Sequence, residues 1–234
     1  ARVVVNVMPK AEILDPQGQA DGRQRVAAQD GVEPAAGDGR RARGDATRRL
    51  VARTAADVAT VDGLDGITVG GLASSTGVSK SGILTVFPTR EAIQVAAVAE
   101  ARRVYVDVVI RPALAASPGA DRLRALLDAW VGYLRAGTFP GGCFVTTSST
   151  EYGHRMGPVA DAVRELKREW LDLLERELAA AGSPDPATDC FRVDAYLAAA
   201  NTRRELFGDD AELDRARDLA AAIVDAAGGS HIGA

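Results

Sequence analysis

Apolar residues recur with a helical period of about 3.6 from residue 45 onward. In the first such segment Leu50, Thr54, Val58 and Val61 share one face. This pattern predicts a helix that buries that face against the rest of the protein. The sequence DGLDG at 62–66 follows, and its glycines can adopt positive φ angles. We therefore expect the first helix to end there.

The segment TVGGLASSTGVSKSGILTVFPTREAI at 68–93 breaks the helical rhythm three times. Thr68, Ser79 and Thr89 each precede a short run of helix formers, as N-cap residues do, and Gly77 and Pro88 separate the runs. The apolar side chains available for burial there are Val69, Leu72, Ala73, Val78, Ile83, Leu84 and Phe87. Two very short helices joined by a tight glycine turn are typical of a helix-turn-helix motif.

The second half of the chain has the pattern of a bundle of longer helices. Two apolar stripes there have helical spacing: Leu123, Leu126, Trp130 and Leu134, and then Val159, Val163, Leu166, Trp170, Leu174 and Leu178. After the turn sequence GSPDPAT at 182–188, a third stripe contains Phe191, Ala195, Ala198 and Phe207. Such stripes indicate packing faces. The predicted fold class is all-α, with a helix-turn-helix domain followed by a helical bundle.

Residues 1–44 differ in composition from the rest of the chain. Residues 21–44 contain almost no large apolar side chain, so we expect a largely disordered leader. The run RVVVNV at 2–7 favours a β-strand, but no partner strand lies nearby. The arginine-rich stretch at 37–49 is either an arm that enters a DNA minor groove or a solvated linker. The predicted domains are a leader at 1–44, a helix-turn-helix domain at 45–92, a helical domain at 93–227 and a disordered tail at 228–234.

Composition and charge limit the possible functions. Of the 234 residues 47% are hydrophobic and only 5% aromatic, which favours close-packed helices. The net charge of −4 means that a nucleic-acid surface would have to be a local patch. The two cysteines and two histidines lack the spacing of a metal site or a disulfide framework. No apolar run approaches the roughly 20 residues of a membrane span. We expect a cytoplasmic protein with no metal, no cofactor and no membrane partner.

The helix-turn-helix segment resembles a known family. The sequence ITVGGLASSTGVSKSGILTVFPTREAI, with TRRLVARTAADVA before it, is similar to the DNA-binding domain of the tetracycline-repressor (TetR) family of transcriptional regulators. RPALAA, FPGGCF and REWLDLLERELAAA resemble the ligand-binding half of one TetR branch, so the likeness covers roughly residues 46–225. The resemblance implies a bacterial repressor, not an enzyme, that binds a palindromic double-stranded DNA operator as a homodimer.

The same resemblance implies how the dimer forms and how it is switched. Residues around 159–180 and 190–207 would form the interface with the second subunit. A small apolar effector would release the operator, and the fourth helix, from about Thr89 to Ile110, would carry the signal between the two domains.

The resemblance also assigns DNA contacts to residues at helix N-termini and along the third helix. Lys80 and Thr85 would lie along the major groove, while Thr68 and Arg90 would bind phosphates. The complete predicted set is Arg48, Arg49, Thr68, Ser79, Lys80, Ser81, Thr85 and Arg90. The alternative is that these residues are only helix caps and solvated charges. Leu84 and Val86 stand where the family usually has an aromatic residue and a histidine, so a degenerate regulator with weak DNA binding is a second alternative.

The effector site is predicted from the segment FPGGCFVTTSSTEYGHRM at 139–156. It combines aromatic rings, hydroxyls and a thiol, as an apolar pocket with a few orienting polar groups would. We predict that the effector contacts Trp130, Tyr133, Cys143, Phe144, Thr147, Tyr152 and Tyr196. The glycines next to Cys143 allow close approach, so its thiol could sense an electrophile. A buried, inert thiol is the alternative interpretation.

Two other interpretations compete with a regulator. A small hydrolase or thiol enzyme would use Cys143 as nucleophile, His154 as base and Asp161 to orient the base. Neither a nucleophile elbow nor a phosphate-binding loop accompanies these residues. Separately, residues 1–20 resemble the start of PurS, the small subunit of formylglycinamidine ribonucleotide synthetase. We interpret this segment as a remnant, a fusion or a wrongly placed start, and we assign it no function.

Overall fold

The computed structural model describes residues 36–229, and side chains from 41 to 227. All regular secondary structure in this part of the chain is helical. The predicted strand at 2–7 and the PurS-like segment at 1–20 lie outside the described residues. None of the described helices is long and apolar enough to cross a membrane.

Ten α-helices follow one another along the described residues. The first half contains α1 (Ala36–Asp62), a 3-10 turn (Leu64–Gly66), α2 (Val69–Thr76), α3 (Lys80–Val86) and α4 (Arg90–Tyr105). A π-helical turn (Val106–Ile110) continues α4 into the short α5 (Arg111–Ala113). The second half contains α6 (Ala120–Arg135), α7 (Phe144–Tyr152), α8 (Pro158–Ala180), α9 (Pro186–Phe207) and α10 (Ala211–Gly229).

Helix α1 differs from the prediction at its start and on its buried face. It begins at Ala36, so residues 36–44 of the predicted leader are helical. Leu50 and Val61 of the predicted face are 47% and 62% exposed, and Thr54 and Val58 are half-buried. The buried face consists of Val51, Ala52, Ala55, Ala56 and Ala59, which pack against α4. Four alanines let the two helix backbones approach closely, and that neighbour decided which side of α1 is buried.

The helix-turn-helix prediction is confirmed in its caps and in the burial of Leu72, Ile83 and Phe87. Leu84, which was also predicted to be available for burial, is 46% exposed. The side-chain oxygens of Thr68, Ser79 and Thr89 accept hydrogen bonds from the backbone N–H three residues ahead, at 3.0, 3.1 and 3.0 Å. Gly77 ends α2 with a φ of 72°, a conformation that glycine adopts without strain. The fully buried residues of this domain include Leu64, Ile67, Leu72, Ile83 and Ile93.

The bundle confirms two of the three predicted stripes. All ten residues predicted on α6 and α8 are buried. The predicted stripe on α9 is wrong, because Phe191, Ala195 and Phe207 are exposed and Ala198 is half-buried. Helix α9 packs against α8 and α10 through its opposite side instead, where Cys190, Val193, Leu197, Ala200 and Asn201 are buried. Helix α10 continues to Gly229, two residues into the predicted tail, and the rest of that tail lies outside the described residues.

Candidate nucleic-acid interface and effector domain

The outer surface of α3 presents polar side chains over a buried apolar base. Lys80, Ser81 and Thr85 are exposed, whereas Ile83 and Phe87 are buried on the opposite side. The Thr85 hydroxyl donates to the carbonyl of Ser81 at 2.8 Å, and the hydroxyls of Ser79 and Ser81 are 3.2 Å apart. A short helix with small polar residues on its free face can lie in a major groove, where it can approach the base edges closely.

Leu84 is the apolar exception on this surface. It is exposed, whereas Val86 is half-buried and packs against the core. An exposed leucine at this place adds apolar contact but no hydrogen bond to a phosphate. Neither residue 84 nor residue 86 can therefore donate a hydrogen bond to a phosphate, and the polar groups on this surface are the cations and hydroxyls around them.

Of the four predicted cations, two contact other residues of the chain and two have no partner among the described side chains. Arg48 donates to the carbonyl of Val86 at 3.0 Å and its guanidinium lies 5.6 Å from the centre of the Phe87 ring. Arg90 donates to the carbonyl of Asp65, and its guanidinium is 3.8 Å from the carboxylate of that residue. Among the described side chains Arg49 and Lys80 form neither an ion pair nor a hydrogen bond, and both are exposed. Lys80 and Arg49 are therefore the cations that can bind phosphate without giving up an internal contact.

The Lys80 side chain lies along the start of α2. A Cβ atom placed on Gly70 would be 3.7 Å from Cε and 3.8 Å from Nζ of Lys80. The same construction on Gly71 would come within 3.0 Å of the Thr68 hydroxyl that caps α2. Gly71 thus leaves room for the Thr68 cap, and the Lys80 side chain packs against the backbone at Gly70 on the same surface.

Most of the predicted effector contacts form a packed aromatic core. Trp130, Tyr133, Cys143, Phe144 and Tyr152 are all buried, and Thr147 and Tyr196 are half-buried. Perpendicular ring contacts join Tyr105 to Tyr133 and to Trp170, with centroids 5.5 and 5.4 Å apart. Burial raises the pKa of Tyr105 and of Tyr133 well above the usual range for tyrosine. These rings pack against one another, and their role in effector binding stays a prediction.

A solvent-accessible cleft lies beside this core, between α7 and α8. Its volume is about 470 Å³. Of the predicted effector contacts, only Tyr152 lines it. The lining residues are Ser149, Tyr152, Gly153, Val163, Arg164, Lys167, Arg168, Leu171, Asp172 and Glu175. The Ser149 hydroxyl oxygen is buried and has no hydrogen-bond partner among the described residues. Ser149, which lines the cleft, thus carries a hydrogen-bonding group that no described residue uses.

The loop at 138–142 docks the bundle onto α1, a role that sequence reasoning missed. Gly141 donates from its backbone N–H to the Thr60 hydroxyl at 3.1 Å. A Cβ atom on Gly141 would overlap the carbonyl group of Thr60. The Arg53 guanidinium lies 4.4 Å from the centre of the Phe139 ring and donates to the carbonyl of Thr138. The PGG sequence is the one local sign of this close backbone approach.

The second glycine of the loop fits against α9. Gly142 has a φ of 84°, and a Cβ atom there would lie 2.6 Å from the Asn201 amide oxygen. That oxygen accepts the backbone N–H of Cys143 at 2.7 Å. The glycines beside Cys143 therefore serve the packing of the loop, and Cys143 is buried, with only 2% of the residue exposed.

The structure does not bring Cys143, His154 and Asp161, the residues of the alternative catalytic site, into contact. Cys143 precedes α7 and His154 follows it, so the nine-residue helix separates them by about 13 Å along its axis. His154 is exposed, and the Asp161 carboxylate pairs with Arg164 at 2.7 Å. A nucleophile and its base need direct hydrogen-bond contact. A thiol-enzyme mechanism is therefore not supported by these three residues.

Both thiols should be unreactive in the folded protein. Cys190 is buried beside the carbonyl of Leu171, and burial raises its pKa to about 11. At pH 8 roughly a thousandth of the Cys190 thiol is then ionised. We expect a thiol-specific colorimetric reagent to modify neither cysteine within minutes in buffer, and both at once in denaturant. Rapid modification of Cys143 in the folded protein would favour electrophile sensing.

The fold and the surface of α3 define a class: a helix-turn-helix DNA-binding domain on a helical bundle. Residues 119–220 match the family model described as tetracyclin repressor-like, C-terminal domain. This match, together with the many solved TetR regulators that share its fold, supports the predicted TetR-family regulator. The predicted family, fold class and DNA-binding regulatory function are confirmed. No curated protein matches the chain significantly.

The solved structures similar to this chain include regulators from distant bacteria. A TetR transcriptional regulator from Chloroflexus aurantiacus J-10-FL is 21% identical with a TM-score of 0.71, covering 79% of this chain and 96% of that one. SCO4454, a TetR-family regulator from Streptomyces coelicolor, is 20% identical with a TM-score of 0.68, covering 80% and 97%. AibR, solved in complex with isovaleryl coenzyme A and operator DNA, is 16% identical with a TM-score of 0.59, covering 75% and 96%.

Proposed function

We propose that this regulator is a repressor that binds a palindromic operator as a homodimer and leaves it when a small effector binds. The observation that carries the proposal is the exposed polar surface of α3, with Lys80 unpaired at its first turn among the described residues. Two such helices related by a two-fold axis would read half-sites about one helical turn of DNA apart. AibR, whose fold this chain shares, was solved with both a coenzyme A thioester and operator DNA.

The outward side of α9 supports dimer formation. Phe191, Leu206 and Phe207 are each at least 70% exposed. Phe191 and Leu206 lie about 22 Å apart along the helix, with the small exposed residues Ala195, Ala199 and Thr202 between them. Large exposed apolar side chains on one helix side mark an interaction surface. The apolar stripe on α9 does not belong to the core of one subunit, and we propose that it packs in the interface between two subunits.

The effector is proposed to bind on the side of the bundle that α7 forms. Tyr152, Val163 and Leu171 supply apolar surface to the cleft between α7 and α8, and its volume suits a small molecule. Of the remaining predicted contacts, Trp130, Tyr133, Cys143 and Phe144 are buried in the core. A screen of small molecules for release of operator tests this part of the proposal.

The DNA part is tested by selecting bound fragments from a random DNA pool with the full chain, then measuring affinity by fluorescence anisotropy. We expect Lys80→Ala to lower operator affinity at least about ten-fold, because removing a charge-assisted hydrogen bond costs about 1.5–3 kcal/mol. The slope of log affinity against log salt should fall by about 0.9 for each phosphate that the lysine neutralises.

The matched control is Arg124→Ala. It also removes one positive charge, but from an exposed ion pair on α6 with Asp225. Its operator affinity and salt slope should stay within error of the wild type. If Lys80→Ala behaves like this control while the dimer stays intact, α3 does not bind the operator as proposed. Failure to recover any DNA would favour a degenerate regulator.

A further inference from the structure

The C-terminal end of α7 is hydrogen-bonded to the 3-10 turn (Leu64–Gly66) that precedes α2. The Glu151 carboxylate accepts the backbone N–H of Leu64 at 2.7 Å and that of Asp65 at 3.0 Å. These are the first N–H groups of the 3-10 turn, which have no partner within the turn itself. Gly63 has a φ of 78°, and a Cβ atom there would lie 3.0 Å from the Glu151 carboxylate. The turn therefore accepts this carboxylate because residue 63 has no side chain.

The Asp65 side chain makes a second set of contacts with the same end of α7. The Tyr152 hydroxyl donates to the Asp65 carboxylate at 3.2 Å, and Arg155 forms an ion pair with it. The Arg155 guanidinium also lies 4.7 Å from the centre of the Tyr152 ring. The hydrogen bond from Arg155 lowers the pKa of Asp65, so this carboxylate is charged at neutral pH.

The other side of the turn is bonded to the start of α4. The buried Gln94 amide donates to the carbonyl of Leu64 at 2.8 Å, and Arg90 donates to the carbonyl of Asp65. The turn lies three residues before α2, and Arg90 lies four residues after the end of α3. The residues before α2 and the residues after α3 are thus both bonded to the 3-10 turn, and this turn also contacts α7.

The cleft between α7 and α8 reaches the same end of α7. Its lining includes Ser149 and Tyr152, which flank Glu151 in the chain, and the buried Ser149 hydroxyl oxygen has no partner among the described residues. A molecule in the cleft would contact the last turn of α7 directly. It would also touch Tyr152, whose hydroxyl holds Asp65.

We propose that the Glu151 and Asp65 contacts with the turn and with Tyr152 and Arg155, here called the interdomain latch, carry the signal from the cleft to the DNA-binding helices. Glu151 is its positioning residue. A molecule in the cleft displaces the C-terminal end of α7, and the contacts of the interdomain latch weaken. Helices α2 and α3 can then move, so the distance between the α3 helices of the two subunits no longer matches the operator. A ligand shifts this equilibrium only by its difference in affinity for the two arrangements. The inference rests on the proposed regulatory function.

The first test uses the full chain and measures hydrogen exchange of the 62–68 backbone by mass spectrometry. Glu151→Ala removes the acceptor of two N–H groups, so exchange in this segment should speed up at least about ten-fold. Glu151→Gln keeps one acceptor oxygen and should recover the protection of only one of the two N–H groups. Unchanged exchange in Glu151→Ala would overturn the latch. This measurement needs no DNA, so it tests the interdomain latch even if the protein does not bind an operator.

The second test fills the cleft with a side chain. Ser149→Phe places a ring in the cleft, and Thr150→Phe places the same ring on the exposed neighbouring position of α7 as a control. We expect Ser149→Phe to lower operator affinity about ten-fold, within the usual range of allosteric coupling, and Thr150→Phe less than two-fold. Ser149→Leu replaces Ser149→Phe if thermal unfolding shows that the larger ring prevents folding.

The decisive comparison is made in the Glu151→Ala background. If the signal passes through the latch, Ser149→Phe should lower operator affinity by less than about two-fold there, because the coupling has already been removed. An equal reduction in both backgrounds would show that the signal bypasses Glu151, and the inference would be wrong. Absence of operator binding in the wild type would instead count against the proposed function, with the exchange result still deciding on the latch.

Discussion

Gly141→Ala is expected to destabilise the protein by at least about 3 kcal/mol, the upper end of the range for overpacking. The added Cβ atom would overlap the carbonyl group of Thr60 and lie 3.0 Å from the backbone nitrogen of Val61. Both obstacles are backbone atoms of α1, so no side-chain rotation can relieve the clash. Relief requires the loop to leave α1, which breaks the hydrogen bond from Gly141 to Thr60. Unfolding in denaturant at fixed protein concentration measures the destabilisation.

Gly132→Ala is the matched control for this substitution. Gly132 lies on the exposed side of α6, and a Cβ atom there would have no neighbour within 4 Å. Alanine favours a helix interior over glycine, so the free energy of unfolding should rise by about 0.5–1 kcal/mol. The same chemical change thus has opposite signs at the two positions. A cost below about 1 kcal/mol for Gly141→Ala would mean that the loop moves away from α1 easily.

Glu177→Ala is expected to cost about 3–5 kcal/mol, because it leaves a buried charge without its partner. The Glu177 carboxylate pairs with Arg122 at 3.0 Å, and the two side chains are only 5% and 11% exposed. Its second oxygen accepts the backbone N–H of Gly119 at 2.7 Å, which joins the end of α8 to the start of α6. Thermal and denaturant unfolding measure the cost. Glu177→Gln should cost less, since an amide oxygen still accepts that N–H.

The explanation of this cost is tested by changing both partners. Replacing Glu177 by leucine together with Arg122 by methionine removes both buried charges and should recover most of the stability. Glu175→Ala, on an exposed position of the same helix, should stay within about 0.5 kcal/mol of the wild type. If the double replacement is as unstable as Glu177→Ala, the cost comes from the lost acceptor of the Gly119 N–H or from poorer packing, and not from an unpaired charge.

The helix boundaries could be predicted wherever the signal was local. Thr68, Ser79 and Thr89 each bond to an N–H three residues away, and Gly77 needs only its own φ angle. The stripes on α6 and α8 were also predictable, because large apolar residues at helical spacing leave a single side to bury. The predicted face of α1 failed for the converse reason. Its buried side is mostly alanine, which has little hydrophobic signal of its own.

The sites depend on contacts that the sequence pattern does not contain. Glu151 and Leu64 are 87 positions apart, and the backbone of Cys143 meets Asn201 across 58. Lys80 and Arg90 look alike as exposed cations in the sequence. The fold places Arg90 against Asp65, whereas Lys80 forms no ion pair among the described residues. Which cation is available for DNA was therefore decided by the partners that packing brought near it.

By itself the sequence determined an all-α fold that resembles TetR-family regulators, with a helix-turn-helix whose second helix begins at Lys80. Caps, glycine turns and apolar spacing act within one or two helical turns, so their consequences can be derived residue by residue. Only the tertiary structure decided that the glycines of FPGGCF serve docking onto α1 and α9, and that the end of α7 holds the turn before α2. Those contacts depend on the relative placement of distant helices, which close packing of the whole core determines.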